Sequence, residues 1–256
     1  LSGARLRSPV LLEGVVVNPV LMSLLMFLAM SLFANTMADR YWLLRAGEPD
    51  NRTDRLRDRF KALMIIGFGQ KRLLYKKGSG WMHVLIFSGF LVVYALTLTL
   101  MGRGFDPNFH LPLLGGPLGL AYAFLKDTFA VIVLLALLYS IYRRTIIRPS
   151  RLHLTGEAIL ILAWIAALMV TDLLLDAGEI ARPDGSMERG WAWASTLLSG
   201  FFVEADPVAL ERHITLNYWI HIVLLLAFLN VLPFGKHFHV LTALPAVFLS
   251  RLTPQG

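Results

Sequence analysis

Two histidines bracket the last strongly apolar stretch of the chain. His221 lies inside this stretch, and His239 follows a short polar segment beyond Pro233. A neutral imidazole can hold haem iron, whereas a membrane interior otherwise tolerates ionisable groups poorly. Eighteen residues of helix rise about 27 Å, which is too far for two ligands of one iron. If both histidines bind haem, they therefore bind two different haems stacked across a bilayer, and the chain transfers electrons across the membrane.

A partner for His239 is available near the start of the second apolar stretch, where His83 lies at a matching depth. The spacing predicts a His83–His239 pair, with His237 as the alternative to His239. For His221, haem ligation and an interhelical hydrogen bond both satisfy a buried imidazole. The remaining histidines are at helix ends or in loops, where ordinary solvated side chains are expected: His110, His153 and His213.

The composition is that of a protein that crosses the membrane several times. Of the 256 residues, 56% are hydrophobic and 16% are charged, against about 25% charged in soluble domains. The net charge of +7 is a weak argument for nucleic-acid binding here, since in membrane proteins the placement of Lys and Arg matters more than their sum. The sequence has no cysteine, which excludes disulfides and Cys-ligated iron–sulfur clusters within it.

Five apolar stretches approach the roughly 20 residues that a bilayer requires. They predict an all-α, integral membrane five-helix bundle that forms one domain over residues 1–256. The predicted spans are 20–37, 81–101, 125–142, 156–175 and 214–232. No small-residue cleavage site follows the first span, so we expect a retained helix and not a signal peptide. A last apolar segment, 240–252, is too short to cross.

Basic residues are distributed unequally between the two sets of loops. Loops 40–77, 143–151 and 233–256 carry 17 Lys and Arg, and the opposite loops carry four. This bias places the first set in the cytoplasm and the N-terminus outside. Within the first loop, apolar residues at helical spacing over 53–72 predict an amphipathic helix at the cytoplasmic surface. Contact with lipid headgroups and docking of a soluble partner both suit this helix. The arginines of 143–151 fix orientation or bind a partner or haem propionates.

Three ionisable residues lie close to the predicted outer ends of spans. Lys126 and Asp127 enter the third span, and Asp172 is near the end of the fourth. A quinone site needs groups that donate a hydrogen bond or accept a proton, so these three are its candidates. A snorkelling lysine beside a helix-start carboxylate explains Lys126 and Asp127 equally well.

The five spans, the outside N-terminus and the two histidines 18 positions apart resemble the membrane cytochrome b (gamma) subunit of respiratory nitrate reductase. The segment LPFGKHFH is similar to the Pro-Phe stretch before that family's last ligand. The continuation KHFHVLTALPAVFL looks still more like the cytochrome b module of heterodisulfide-reductase-related membrane iron–sulfur oxidoreductases. The resemblance covers residues 20–250 and is most specific over 213–250.

This resemblance implies that His83 and His239 ligate a cytoplasmic-side haem b and that His221 ligates an outer one. It also implies a Cys-rich electron-transfer domain or protein on the cytoplasmic side. One departure concerns the outer haem, because the position of that family's second histidine in the second span is Val93 here. The sequence thus predicts one haem b and leaves a second open.

The function predicted from the sequence is electron transfer between a menaquinone or ubiquinone pool and a cytoplasmic iron–sulfur protein, in a prokaryotic cytoplasmic membrane. In that role the protein supplies ligands and electrostatics, and haem supplies the redox chemistry. The alternative is a haem-free membrane anchor for a soluble redox subunit.

Overall fold

All regular structure in the described part of the chain is helical. The computed structural model describes residues 17–48, 50–112, 114, 116–150, 155–183 and 189–252. The helices, in chain order, are α1 (Pro19–Arg45), α2 (Leu56–Ala62), α3 (Lys71–Leu74), α4 (Ser79–Arg103), α5 (Gly116–Tyr142), α6 (Gly156–Ala181), α7 (Trp193–Ser199), α8 (Pro207–Val231) and α9 (His239–Phe248). Five of them, α1, α4, α5, α6 and α8, are long and apolar enough to cross a membrane. The prediction of an all-α fold with five spanning helices is confirmed.

Side-chain caps mark where three of the long helices begin. The Asn18 side chain accepts a hydrogen bond from the Leu21 amide ahead of Pro19. Thr155 does the same for the Ala158 amide at the start of α6. Such caps satisfy amides that have no partner inside the helix, and proline suits the first helical position. Helix α8 begins in a similar way. Asp206, which precedes Pro207, accepts a hydrogen bond from the Ala209 amide, as Asn18 before Pro19 does from the Leu21 amide.

The spanning helices extend beyond the predicted spans at several ends. Helix α1 continues past Asp39 and Arg40 to Arg45, α5 begins at Gly116, and α8 begins at Pro207. These extensions carry charged or small residues, which end an apolar run without ending a helix. The surface helix predicted over 53–72 is interrupted. Helix α2 continues as a π-helical turn over Leu63–Phe68, and α3 follows after a break. Residues 1–16 and the predicted solvated His153 lie outside the described residues, as does Arg151 of the basic link.

The chain divides into two compact units. The first unit contains the described part of Leu1–Leu25 together with Leu85–Leu225, and the second contains Met26–Val84 and Leu226–Gly256 as far as they are described.

Helices of the first unit pack closely through small residues. A Cβ on Gly89 of α4 would lie 2.3 Å from Val133 of α5, and one on Gly178 of α6 would lie 2.8 Å from Ile214 of α8. Close backbone approach of this kind replaces the hydrophobic driving force, which is absent between helices in lipid. Hydrogen bonds to backbone carbonyls join helices as well, as in the 2.8 Å bond from the Tyr218 hydroxyl to the Leu100 carbonyl.

In the second unit, α2 is fastened to the end of α9 by a buried arginine. Arg59 is 2% exposed, and its guanidinium donates at 2.9 Å to the carbonyls of Phe248 and Ser250. It also donates at 2.7 Å to the Asp54 carbonyl and at 2.6 Å to the Asp54 carboxylate. The last carbonyls of a helix lack partners within it, so Arg59 caps the C-terminus of α9. The rings of Phe60 and Phe248 pack edge to face beside it, 5.3 Å between centres.

Arg59→Ala is expected to destabilise the protein by about 2–3 kcal/mol, because it removes a buried guanidinium that donates four hydrogen bonds to partly buried acceptors. The hydrogen bond from Arg59 lowers the pKa of Asp54, so this pairing stabilises the fold above the ordinary carboxyl pKa and is lost as pH falls through the lowered value. Unfolding in detergent at neutral pH measures the change. Arg57→Ala is the matched control, since Arg57 is exposed on the same helix. Equal loss in both variants would contradict the capping role.

Candidate functional site

The second unit brings together the two histidines that the sequence pairs. The ring centres of His83 and His239 are 6.0 Å apart, with 37° between the ring planes. Two imidazoles that share one metal through bonds of about 2 Å each have ring centres about 6 Å apart. The observed separation therefore fits two imidazoles that would hold one iron between them. His83 lies in the second turn of α4, and His239 is the first residue of α9.

The tautomer of His239 is set by its own turn. Its Nδ1 lies 2.6 Å from the Lys236 carbonyl oxygen, which can only accept, so Nδ1 carries the proton. The lone pair is then on Nε2. Metal-binding histidines usually donate their other ring N–H to a carbonyl or carboxylate in this way. The short 3₁₀ turn Gly235–Phe238 thus leaves the lone pair of His239 on Nε2, the atom through which the ring could bind a metal.

The other described histidines of the predicted loops and helix ends differ from one another in exposure and contacts. His237 lies within the 3₁₀ turn, is half-buried and has contacts of its own. His110 is exposed, as expected. His213 is not an ordinary solvated side chain. Its ring is half-buried, packs on Phe202 at 4.4 Å between centres, and has Nε2 3.1 Å from the Leu174 carbonyl.

His221 is buried in the first unit with one nitrogen paired and the other unpaired. The residue is 1% exposed, and Nδ1 lies 2.9 Å from the Thr171 hydroxyl oxygen. Nε2 is buried and has no hydrogen-bond partner within the described part of the chain. An interhelical hydrogen bond and an open ligand position therefore coexist on one ring. The interhelical hydrogen bond, one of the two explanations offered by the sequence, is present, and haem ligation by His221 stays a prediction.

Lys126 is at the centre of a buried cluster of charges in the first unit. The residue is 2% exposed, and its ammonium lies 3.3 Å from Asp172 Oδ1 and closer still to Asp176. Asp172 is fully buried, and its Oδ2 has no hydrogen-bond partner among the described residues. With all three groups ionised the cluster carries one net negative charge. Burial of such a charge is costly, so a ligand that donates a hydrogen bond is favoured here.

Asp127 is part of a different arrangement. Its carboxylate accepts from the amides of Ala194 and Ser195 at 2.6 and 3.0 Å, and from the Ser195 hydroxyl at 2.7 Å. It thus caps the first turn of α7 from the neighbouring helix α5. The predicted quinone candidates Lys126 and Asp172 are brought together, while Asp127 is committed to this cap.

Three residues at these sites were missed by sequence reasoning. Asp176 follows Asp172 by four positions, which places both on one helix face, and this spacing was a usable signal. Thr171 contacts His221 and Ser195 contacts Asp127 from 50 and 68 positions away in the chain, so neither contact has a local sequence signal.

The described part of the chain contains no group of three or more His, Cys, Asp or Glu residues that could hold a metal ion by themselves. Haem iron needs fewer protein ligands, because the protein supplies only its axial positions. The donor sets to be weighed for haem are therefore the His83–His239 pair and His221.

Comparisons with known proteins relate the chain to oxidoreductases. No protein-family model and no solved structure matches it. It is 30% identical over 244 residues to the "Probable iron-sulfur-binding oxidoreductase FadF" of Bacillus subtilis (strain 168), a match that covers 94% of this chain and 34% of that protein. It is 25% identical over 232 residues to the "EtfAB:quinone oxidoreductase" of Syntrophomonas wolfei subsp. wolfei, covering 84% of this chain and 31% of that protein.

The chain thus spans about a third of the length of the curated relatives it matches. With five helices suited to a bilayer, these similarities support a relationship to membrane-associated oxidoreductases. The names of the relatives contain iron–sulfur and quinone, and neither contains haem. The resemblance to the nitrate reductase gamma subunit remains a prediction.

Proposed function

We propose that this chain is the haem b-containing membrane module of an oxidoreductase, and that it transfers electrons between quinone and a cytoplasmic iron–sulfur protein or domain. The observation that carries this proposal is the His83–His239 pair, with ring centres 6.0 Å apart. The module is a single membrane cytochrome b domain in a prokaryotic cytoplasmic membrane, with its N-terminus outside.

The residues of the second unit suit haem b in both number and chemistry. His83 and His239 would hold the iron, and the Lys236 carbonyl would keep the His239 ring in the ligand tautomer. When bound, haem b supplies one-electron redox chemistry. Two contacts from Arg40 on α1 hold the segment that follows α8 in this unit. The Arg40 guanidinium donates to the Pro233 carbonyl at 3.4 Å and lies 5.5 Å from the centre of the Phe238 ring.

Quinone is assigned to the first unit because that unit contains buried polar groups within a spanning bundle. Lys126, Asp172 and Asp176 are buried on α5 and α6, two helices long and apolar enough to cross a membrane. Ionisable residues inside spans usually mark a ligand or ion pathway. The quinone oxidoreductase among the relatives is consistent with this assignment.

The iron–sulfur partner must supply its own cluster ligands, because this sequence has no cysteine. Its docking surface is proposed to be the exposed basic residues of the second unit between α2 and the start of α4: Arg55, Arg57, Lys61, Lys71, Arg72, Lys76 and Lys77. Arg59 of the same segment is buried and serves the fold instead.

We expect lysine-directed crosslinking in the intact complex to join the partner to Lys61, Lys71, Lys76 or Lys77. Their exposed charges attract an acidic surface and set its orientation. Raised salt should reduce this crosslinking, and so should Arg57→Gln with Arg72→Gln, which weaken the basic surface without removing a reactive amine. Carbodiimide crosslinks to acidic residues provide the comparison for the opposite loops. Crosslinks confined to 103–124 or 176–212 would place the partner on the other face.

The proposed function is tested by anaerobic addition of a quinol to the full-length protein in detergent. We expect the quinol to reduce the haem, so that a b-type absorbance band appears. The oxidised iron–sulfur partner should reoxidise the haem and remove the band. A protein that has no such band, yet supports electron transfer through its soluble partner, would be a haem-free anchor.

A further inference from the structure

Five buried side-chain atoms of the first unit have no hydrogen-bond partner within the described chain, and two of them belong to the candidate haem and quinone residues: His221 Nε2 and Asp172 Oδ2. Each residue is paired through its other polar atom, His221 with Thr171 and Asp172 with Lys126. Buried polar groups in native proteins are almost always satisfied. A ligand that serves both atoms would complete the site.

The Thr171 hydroxyl determines which kind of group His221 presents. Its oxygen lies 2.8 Å from the Ala167 carbonyl and 3.1 Å from the Leu168 carbonyl, in addition to 2.9 Å from His221 Nδ1. A hydroxyl has one proton, and carbonyl oxygens can only accept it. The Thr171 oxygen therefore accepts from Nδ1–H, and Nε2 carries a lone pair. His221 presents an acceptor, as the carboxylate of Asp172 does.

Both acceptors belong to one neighbourhood of the first unit. Thr171, which contacts the His221 ring, directly precedes Asp172 on α6. Lys126 contacts both Asp172 and Asp176 on the same helix. The site therefore contains one donor that is already paired, the Lys126 ammonium, and two acceptors that have no donor: His221 Nε2 and Asp172 Oδ2.

We infer that His221 and Asp172 receive the two hydroxyl groups of a quinol, so that the first unit contains a quinol head-group site in place of a second haem. This inference rests on the quinone-linked function proposed above. A quinol carries two phenolic O–H donors, one for each unpaired acceptor. An iron bound to His221 would leave Asp172 Oδ2 without a donor.

A second haem would need another ligand besides His221, and the described histidines of this unit do not suit that role. Its other described histidines are His110, which is exposed, and His213, whose Nε2 lies 3.1 Å from the Leu174 carbonyl. At position 93, where the resembling family has a histidine, the residue is a buried valine. The outer haem implied by the resemblance is thus poorly supported by the described donor set.

The same two helices offer space for an apolar tail. A cavity of about 430 Å³ between α5 and α6 is lined only by aliphatic side chains, among them Leu134, Leu138, Ala163 and Ala166. Leu134 lies eight residues beyond Lys126, a rise of about 12 Å along α5. The aliphatic cavity and the polar cluster thus lie on the same two helices, which suits a ligand with a polar head group and a hydrocarbon tail.

Two measurements on the full-length protein test this inference: the haem content per chain, and the Kd of duroquinol by anaerobic titration calorimetry. We expect the wild-type protein to contain one haem b. His221→Phe and Asp172→Asn should retain it and raise the Kd about tenfold each, as the loss of one hydrogen bond to a strong acceptor does. His213→Phe, the same change two turns away on α8, should alter neither quantity.

Two haems in the wild-type protein and one in His221→Phe would make His221 a haem ligand and overturn the inference. An unchanged Kd in both His221→Phe and Asp172→Asn would also overturn it, whatever the haem content. A wild-type protein without haem would refute the proposed function alone, since duroquinol binding is measured independently of it. If His221→Phe fails to fold, the wild-type haem content and the Asp172→Asn Kd still decide.

Discussion

His239→Ala is expected to lower the haem content of the second unit by more than about tenfold, the low end for perturbed metal sites. The imidazole that faces His83 at 6.0 Å would be absent, while Lys236 and the 3₁₀ turn would remain. His239 is exposed in the described chain, so its removal leaves no core cavity and the fold should persist. The haem-to-protein ratio and the helical circular dichroism of the variant measure both effects.

His237→Ala is the matched control for this experiment. It removes an imidazole two positions away, in the turn that positions His239, and should leave the haem content near that of the wild type. His83→Ala should reproduce the loss seen in His239→Ala. Full haem retention in His239→Ala, combined with loss in His237→Ala, would show that the ligand is His237 and not His239.

The second large effect is expected for Lys126→Ala. This change leaves Asp172 and Asp176 buried together without their cation, which typically costs about 3–5 kcal/mol. The head-group site loses its only ammonium as well, so quinone turnover should fall steeply. The haem of the second unit should remain. Thermal unfolding in detergent, quinol-driven turnover and the haem-to-protein ratio separate these three consequences.

A compensated variant distinguishes the structural role of Lys126 from its role in the site. Lys126→Met combined with Asp172→Asn and Asp176→Asn removes all three charges and should recover most of the stability, because neutral groups are far less costly to bury. Turnover should stay low. Recovery of turnover along with stability would show that the charges of the cluster serve only the fold.

The positions of the spanning helices were predictable because their signals are local. Apolar runs of sufficient length identify all five. The prediction did not use Asn18-Pro19 and Asp206-Pro207, which mark two of the starts. The ends were less predictable, since a charged residue such as Arg40 ends an apolar run but does not break hydrogen bonding within the helix. Proline, which does break it, marks the end of α8 correctly at Pro233.

The misjudged surroundings of Lys126 follow from one such helix end. The third span was predicted to begin at residue 125, so a lysine in its first turn could snorkel to the surface. Helix α5 in fact begins at Gly116, so Lys126 lies in its third turn and is buried. Pro117 near the first helical position starts a helix as readily as it interrupts one.

The site was predictable to the extent that depth in the membrane constrains it. His83 and His239 were paired because their spans place them at one level, and the structure brings their rings together. The partners of His221 and Asp127 depend on which helices are neighbours and on how each is rotated. Thr171 and Ser195 are therefore revealed only by the fold.

The central claim is that His83 and His239 hold haem b. It is tested most directly by a reduced-minus-oxidised absorbance spectrum of the full-length wild-type protein, produced with an ample supply of haem, beside the His83→Ala and His239→Ala variants. We predict a b-type band in the wild type that is lost in both variants. A wild-type spectrum without such a band, or a band of full height in both variants, would contradict the account.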